Sequence, residues 1–260
     1  MMCNEVEANS TVLVCAGDFH VGGKNTDLDA LKKMVNDVRK NDYHLLVMGD
    51  LCECITSRDK RFSMGTVDPQ FLGEDMIGKQ YKYLDKLLKP IAGQIIGIHE
   101  GNHDESITKY SEINMVSQLC ENLGVKYLGY NALTRLTYMR SGRKNSYTLY
   151  STHGYFGGRT RGPKVNALEG LCASIDACAY YAGHSHDLFA TSIQQIYLSK
   201  YGHLSTRTIY TGNTGSFLRG IVENNSSYAE SKGYKPLKIG YLKTTFDPCT
   251  YGMKMEEVIM

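Results

Sequence analysis

LLVMGDLCE, residues 45–53, decides the fold class. Four apolar residues without a polar break read as a strand buried on both faces, and the glycine and aspartate that follow turn the chain at its carboxyl end. The same grammar recurs. An apolar run at 12–16 precedes GDFH at 17–20, one at 95–98 precedes GNHD at 101–104, one at 147–150 precedes THG at 152–154, and one at 177–182 precedes GHSH at 183–186. Between these runs lie apolar stripes at helical spacing: Leu28, Leu31, Val35 and Val38; Ile77, Tyr81, Leu84 and Leu88; Val116, Leu119 and Leu123 before Gly124; Val165, Leu168, Leu171 and Ile175. Beyond Gly124 the pattern is mainly strand-like, at 125–128, 133–139, 147–151, 207–210 and 237–245. The first half reads as βαβ units and the second as strand-rich sheet with one helix. Two sheets packed face to face, with helices on their outer faces, accommodate both halves.

Composition bounds this reading. The chain has 260 residues, 42% of them hydrophobic, which suits one domain over residues 1–260 with a substantial core. Its formal net charge of +2 is too small to claim a broad nucleic-acid surface. The polar, acidic start MMCNEVEANS does not read as a signal peptide and no apolar stretch approaches a membrane span, so a cytoplasmic protein is expected. The eight cysteines include no CxxC pair and lie mostly in apolar context, as reduced core thiols do. Cys52 and Cys54, which flank Glu53, are assigned to packing.

Residues at the carboxyl ends of neighbouring strands share one crevice. The motifs bring to it two carboxylates, one amide and four histidines that could hold a pair of metal ions, with a further histidine left over for catalysis. Residues two apart on an extended segment lie about 6–7 Å apart on one side, so His184 and His186 can each reach one of two ions about 3.5–4 Å from each other. Such donors suit Mn, Fe, Zn or Ni alike. His44, His99 and His203 match no motif and read as structural histidines.

The order DxH, GDxx(D/E), GNH(D/E), H, GHxH resembles the calcineurin-like metallophosphoesterases across Asp18 to His186, and GNTGS at 212–216 resembles their NPGS segment. The resemblance implies an α/β fold, the four-layer sandwich of two mixed β-sheets flanked by helices, with a dinuclear centre of divalent ions, manganese first. One ion would take Asp18, His20, Asp50 and His186, the other Asp50, Asn102, His153 and His184, with Asp50 as bridge. A metal-activated hydroxide would attack phosphorus in line, His103 would protonate the leaving alkoxide, and Asp104 would orient that imidazole and raise its pKa. Protein phosphatases of this superfamily show GDxVDRG and GNHE. Here Asp50 is followed by Leu51, Cys52 and Glu53, and His103 by Asp104, which favours phosphodiesters of nucleotides or nucleic acid over phosphoproteins. A protein (Ser/Thr) phosphatase-type monoesterase is the alternative within the chemistry. A non-catalytic interaction scaffold is the alternative outside it, and its signature would be loss of ligands.

Two segments are candidates for substrate contact. YFGGRTRGPK, residues 155–164, offers Arg159, Arg161 and Lys164 to phosphate oxygens at the start of a helix. The long connection at 55–75 carries Arg58, Lys60 and Arg61. Arg140, Arg143 and Lys144 flank a hairpin turn whose outgoing strand ends at His153, so they belong at the far end of the sheet.

Overall fold

Strand alternation splits the apolar residues of each sheet between a core shared by the two sheets and a core under that sheet's own helices. The computed structural model describes residues 1–54, 64–140, 142–222 and 235–260. In it β2 (Val12–Ala16), β3 (His44–Met48), β4 (Ile95–His99) and β5 (Tyr127–Gly129) run parallel, and β11 (Gly240–Asp247) and β12 (Gly252–Ile259) extend the sheet antiparallel beyond β2. The second six-stranded sheet orders β1 (Met2–Glu7), β6 (Asn131–Arg140), β7 (Arg143–Thr152), β8 (Ala179–Ala182), β10 (Leu204–Thr214) and β9 (Leu188–Leu198), again with mixed directions.

Leu13, Cys15, Leu46 and Met48 meet Leu136, Leu149 and Tyr181 of the second sheet in the core between the sheets. Their neighbours Val14, Ala16, Leu45 and Val47 face the other way, as a period of two requires. That outer face is covered by Leu31, Val35 and Val38 of α1 (Leu28–Asn41), Leu84 of α2 (Met76–Leu88) and Leu119 of α4 (Met115–Leu123). On the far side Tyr150, Tyr180 and Phe189 pack against Leu168 of α5 (Arg161–Gly170). The result is helix, sheet, sheet, helix, the four-layer α/β sandwich expected. Each fully buried Leu or Val contributes roughly 1.5–3 kcal/mol, so the sheets form a firm base for whatever their ends carry. Caps fix where the helices start: Asp27 accepts from the Ala30 N–H at 3.0 Å, and Asn114 from the Ser117 N–H at 2.8 Å.

Several expected boundaries shift. The fourth helical stripe ends as α-helix at Gly170; residues 171–173 form a 3-10 turn and Ile175 lies beyond it. The strand expected at 125–128 is β5 at 127–129, and the one expected at 237–245 starts at Gly240. Among the described residues, three strands and one α-helix have no counterpart in the sequence reading: β1, β9, β12 and α3 (Asn102–Ser111). No helix among the described residues is long and apolar enough to cross a membrane.

Candidate metal centre

Each expected ligand follows a strand end, and the glycines beside them let neighbouring motifs touch. A Cβ at Gly101 would stand 2.1 Å from Asp50 Oδ1 and 2.3 Å from the Asp50 backbone nitrogen; one at Gly183 would stand 2.9 Å from Asp18 Oδ2. Gly49 adopts a φ of +90° and lies against Glu100 and His153. Five of the seven expected ligands themselves take left-handed backbone: Asp18 (φ 50°), His20 (47°), Asp50 (48°), His184 (64°) and His186 (55°). For non-glycine residues this costs on the order of 1–3 kcal/mol each and persists only where the surroundings enforce it. The enforcement is visible. The Asp18 N–H donates to Gly49 O at 2.8 Å, the His20 N–H to Asp50 O at 3.0 Å, the Gly183 N–H to His153 O at 3.0 Å, and the Asn213 amide to Gly183 O at 2.8 Å.

The close approach at Gly101 makes a prediction. Gly101→Ala drives a methyl group into Asp50, where backbone must move, at a cost of roughly 1–3 kcal/mol. It should melt several degrees lower than the wild type and gain no stability from added manganese; a melt identical to wild type in both respects would show that the packing is loose.

The side chains form two sets. His186 Nε2 lies 3.2 Å from Asp18 Oδ1 and 3.1 Å from His20 Nε2, which is 3.9 Å from Asp50 Oδ2. On the other side of Asp50, His153 Nε2 lies 3.5 Å from the same Oδ2 and 3.3 Å from Asn102 Oδ1, which is 2.8 Å from His184 Nδ1. The tautomers are fixed from behind. His20 donates its Nδ1–H to Glu53 Oε2 at 2.9 Å and His153 its Nδ1–H to Met48 O at 2.8 Å, so in each neutral ring Nε2 presents a lone pair inward. With these rings neutral, acceptors face acceptors, and buried Asp18 Oδ1 has no hydrogen-bond donor. Cations satisfy this arrangement, and the donor sets Asp18–His20–Asp50–His186 and Asp50–His153–His184 with Asn102 fit two of them.

Five motifs thus stand at the strand ends of two mixed sheets, with Asp50 common to both candidate donor sets. No protein-family model and no curated protein matches the chain. Among solved structures, the phosphoesterase Yfce from E. coli is similar with a TM-score of 0.43 at 15% identity, covering 95% of this chain and 98% of its own. A metallophosphoesterase from Sphaerobacter thermophilus gives 0.40 at 14%, covering 95% and 88%, and Vps29 from Chaetomium thermophilum gives 0.38 at 12%, covering 95% and 96%. Likeness at this level carries no residue's role across, so the roles rest on this chain's own geometry.

The expectation for Asp104 is corrected by its own hydrogen bonds. Its buried carboxylate accepts from the N–H groups of Gly101 (3.1 Å), Leu51 (3.1 Å) and Cys52 (3.3 Å) and from the Tyr81 hydroxyl (2.9 Å), not from His103. Burial and the charge of Asp50 push its pKa up to about 6. It closes the first turn of α3 onto the loop after β3, a structural role. His103 is instead oriented by Glu53, whose backbone carbonyl accepts its Nδ1–H at 2.7 Å, and its pKa is lowered, by burial and by His20, instead of raised. Glu53 thus anchors His20 by its side chain and His103 by its main chain, a role its place in GDLCE did not disclose.

Arg161 and Lys164 are corrected too: both are paired with Asp187, at 3.1 and 3.6 Å, so neither is held out for a phosphate. Arg159 stands exposed before α5. Arg58, Lys60 and Arg61 lie outside the described residues. Cys52 and Cys54 are buried beneath the helices, as packing required, with burial raising both thiol pKa values. His99 is a satisfied core histidine, donating to Gly129 O and accepting from the Ser151 hydroxyl, both at 2.8 Å. His44 accepts a long bond from the Ser10 N–H at 3.4 Å, and His203 is exposed.

Protons compete with metal here. Burial alone would lower His20, but Glu53, then Asp50 and Asp18, outweigh it and hold its pKa up to about 9. Burial is likewise outweighed at His153 by Asp50 and Asp18, again to about 9. Without cations both rings hold protons more tightly folded than unfolded. Their contribution to stability is then complete below pH 6.5 and lost as pH rises through about 9. Metal needs the same nitrogens bare, so its apparent affinity should climb over that interval, and loading at pH 7 should release about two protons per chain. Calorimetry in buffers of different ionisation enthalpy measures this; no proton release would mean these rings are not ligands.

Proposed function

We propose that this chain is a dinuclear metal-dependent phosphoesterase, acting on phosphodiesters of nucleotides or nucleic acid in preference to phosphoproteins. The observation that carries the reading is Asp50, one carboxylate between two sets of inward-facing lone pairs. Two divalent ions, manganese in this reading, would be held by Asp18, His20, Asp50 and His186 and by Asp50, Asn102, His153 and His184. Such a pair, when bound, supplies an activated water for in-line attack at phosphorus and neutralises charge on the phosphoryl oxygens.

The chain's own groups do the rest. Glu53 and Met48 O hold His20 and His153 in the tautomers that ligation needs. Helix α3 begins at Asn102, so its amino end adds partial positive charge beside the centre. His103, steered by Glu53 O through Nδ1, carries on Nε2 the proton for the leaving alkoxide. The sequence Leu51, Cys52, Glu53 after Asp50 supports diesters, since it departs from the phosphoprotein phosphatase pattern.

Metal-stripped chain reconstituted with manganese, zinc or nickel, and assayed on monoesters, phosphopeptides, cyclic nucleotides, dinucleotides, single-stranded DNA and RNA, tests the reading. A diester should exceed every monoester in kcat/KM by at least about tenfold, or roughly 1.4 kcal/mol in transition-state binding. Preference for a phosphopeptide would make the chain a phosphatase, and two bound ions with no turnover on any ester would make it a scaffold.

A further inference from the structure

The first turn of α5 sets two cations against the loop that carries His184 and His186. Lys164 is only 7% exposed; its Nζ lies 3.6 Å from Asp187 Oδ2 and 3.4 Å from Ser185 O. Arg161 Nη2 donates to Asp187 Oδ1 and to Leu188 O, each at 3.1 Å, and its guanidinium lies 5.6 Å from the centre of the Phe189 ring. Residues 185, 187, 188 and 189 are thus all gripped, and His186 stands among them. The grip has a purpose, because both histidines hold left-handed backbone that costs energy to keep.

The two histidines do not depend on it equally. The His184 N–H donates to Asp18 Oδ2 at 3.0 Å, its ring meets Asn102 Oδ1, and the Asn213 amide holds the carbonyl of Gly183 just before it. The ring neighbours of His186 are His20 and Asp18, members of its own donor set. A buried ammonium costs several kcal/mol unless paired, so Lys164 is a costly way to fill space and an effective way to pin a carboxylate. We infer that Lys164, with Arg161 and Asp187, is a clamp that positions His186 for the ion of Asp18, His20 and Asp50, while the ion of Asn102, His153 and His184 is set without it. The inference rests on the dinuclear reading above.

Manganese titration of the metal-stripped full chain by calorimetry tests it. The wild type should show two binding events. Lys164→Met, which keeps the apolar stem, should weaken one of them about 10- to 100-fold, the range for losing a group behind a ligand, and leave the other within about twofold. Lys164→Arg should restore the lost event. The metal-free melting temperature should move little, whereas a merely structural role would lower it and weaken both events together. Should Lys164→Met fail to fold, Asp187→Asn, which removes the charge and keeps the shape, must give the same one-sided loss. Two events unchanged, or both weakened alike, overturn the clamp. A wild type that takes up no manganese overturns the dinuclear reading and the clamp with it.

Discussion

Asp50→Asn should strip manganese from both positions and lower turnover by more than about 10³-fold. The carboxylate uses both oxygens: Oδ1 accepts the His103 N–H at 2.9 Å, while Oδ2 lies 3.9 Å from His20 Nε2 and 3.5 Å from His153 Nε2. An amide has one oxygen. If that oxygen turns to the metals, the NH₂ meets the His103 N–H donor to donor; if it turns to His103, the NH₂ points at the cations. Either way the charge that holds His20 and His153 is gone, and losing even a single electrostatic stabiliser of a transition state costs about 10²–10³-fold. Metal content by mass spectrometry and hydrolysis of a generic diester measure the two halves of the effect. Two ions with ordinary turnover would remove Asp50 from the centre.

His103→Ala should keep both ions and lose about 10²–10⁴-fold on esters with alkoxide leaving groups. Esters that release nitrophenolate need little proton help and should lose far less. The lowered pKa of His103, due to burial and His20, adds a second signature. Because the acid form must be present, the alkoxide reaction of the wild type should decline as pH rises through a pKa below 6.5, and the nitrophenolate reaction should not share that limb. A loss equal on both leaving groups, with metal retained, would place His103 on the phosphoryl oxygens instead.

What the sequence disclosed and what it hid have one physical cause. β2, β3, β4 and β8 are buried on both faces, so they read as unbroken apolar runs, and the motifs after them could be placed at strand ends. The missed strands lie at the sheet edges. β1 and β9 are largely exposed along much of their length, so solvent left no apolar pattern to read. The residues proposed as metal donors stood out in the sequence because such chemistry is restricted to a few residue types at fixed turns. The partner of His103 was not, because adjacent residues on a helix point about 100° apart and do not face each other. Once GNHD opens α3, Asp104 becomes the third helical residue and caps its own first turn, and the ring beside it must find Glu53. Arg161 and Lys164 stood at a spacing that shares one helix face, but only the folded chain brings Asp187 to that face.

The measurement that bears most directly on the central claim is anomalous diffraction from crystals of the full chain grown with manganese. The account predicts two peaks about 3.5–4 Å apart, with Asp50 between them, His20 and His186 on one side and Asn102, His153 and His184 on the other. A single peak, or none within reach of Asp50, would contradict it.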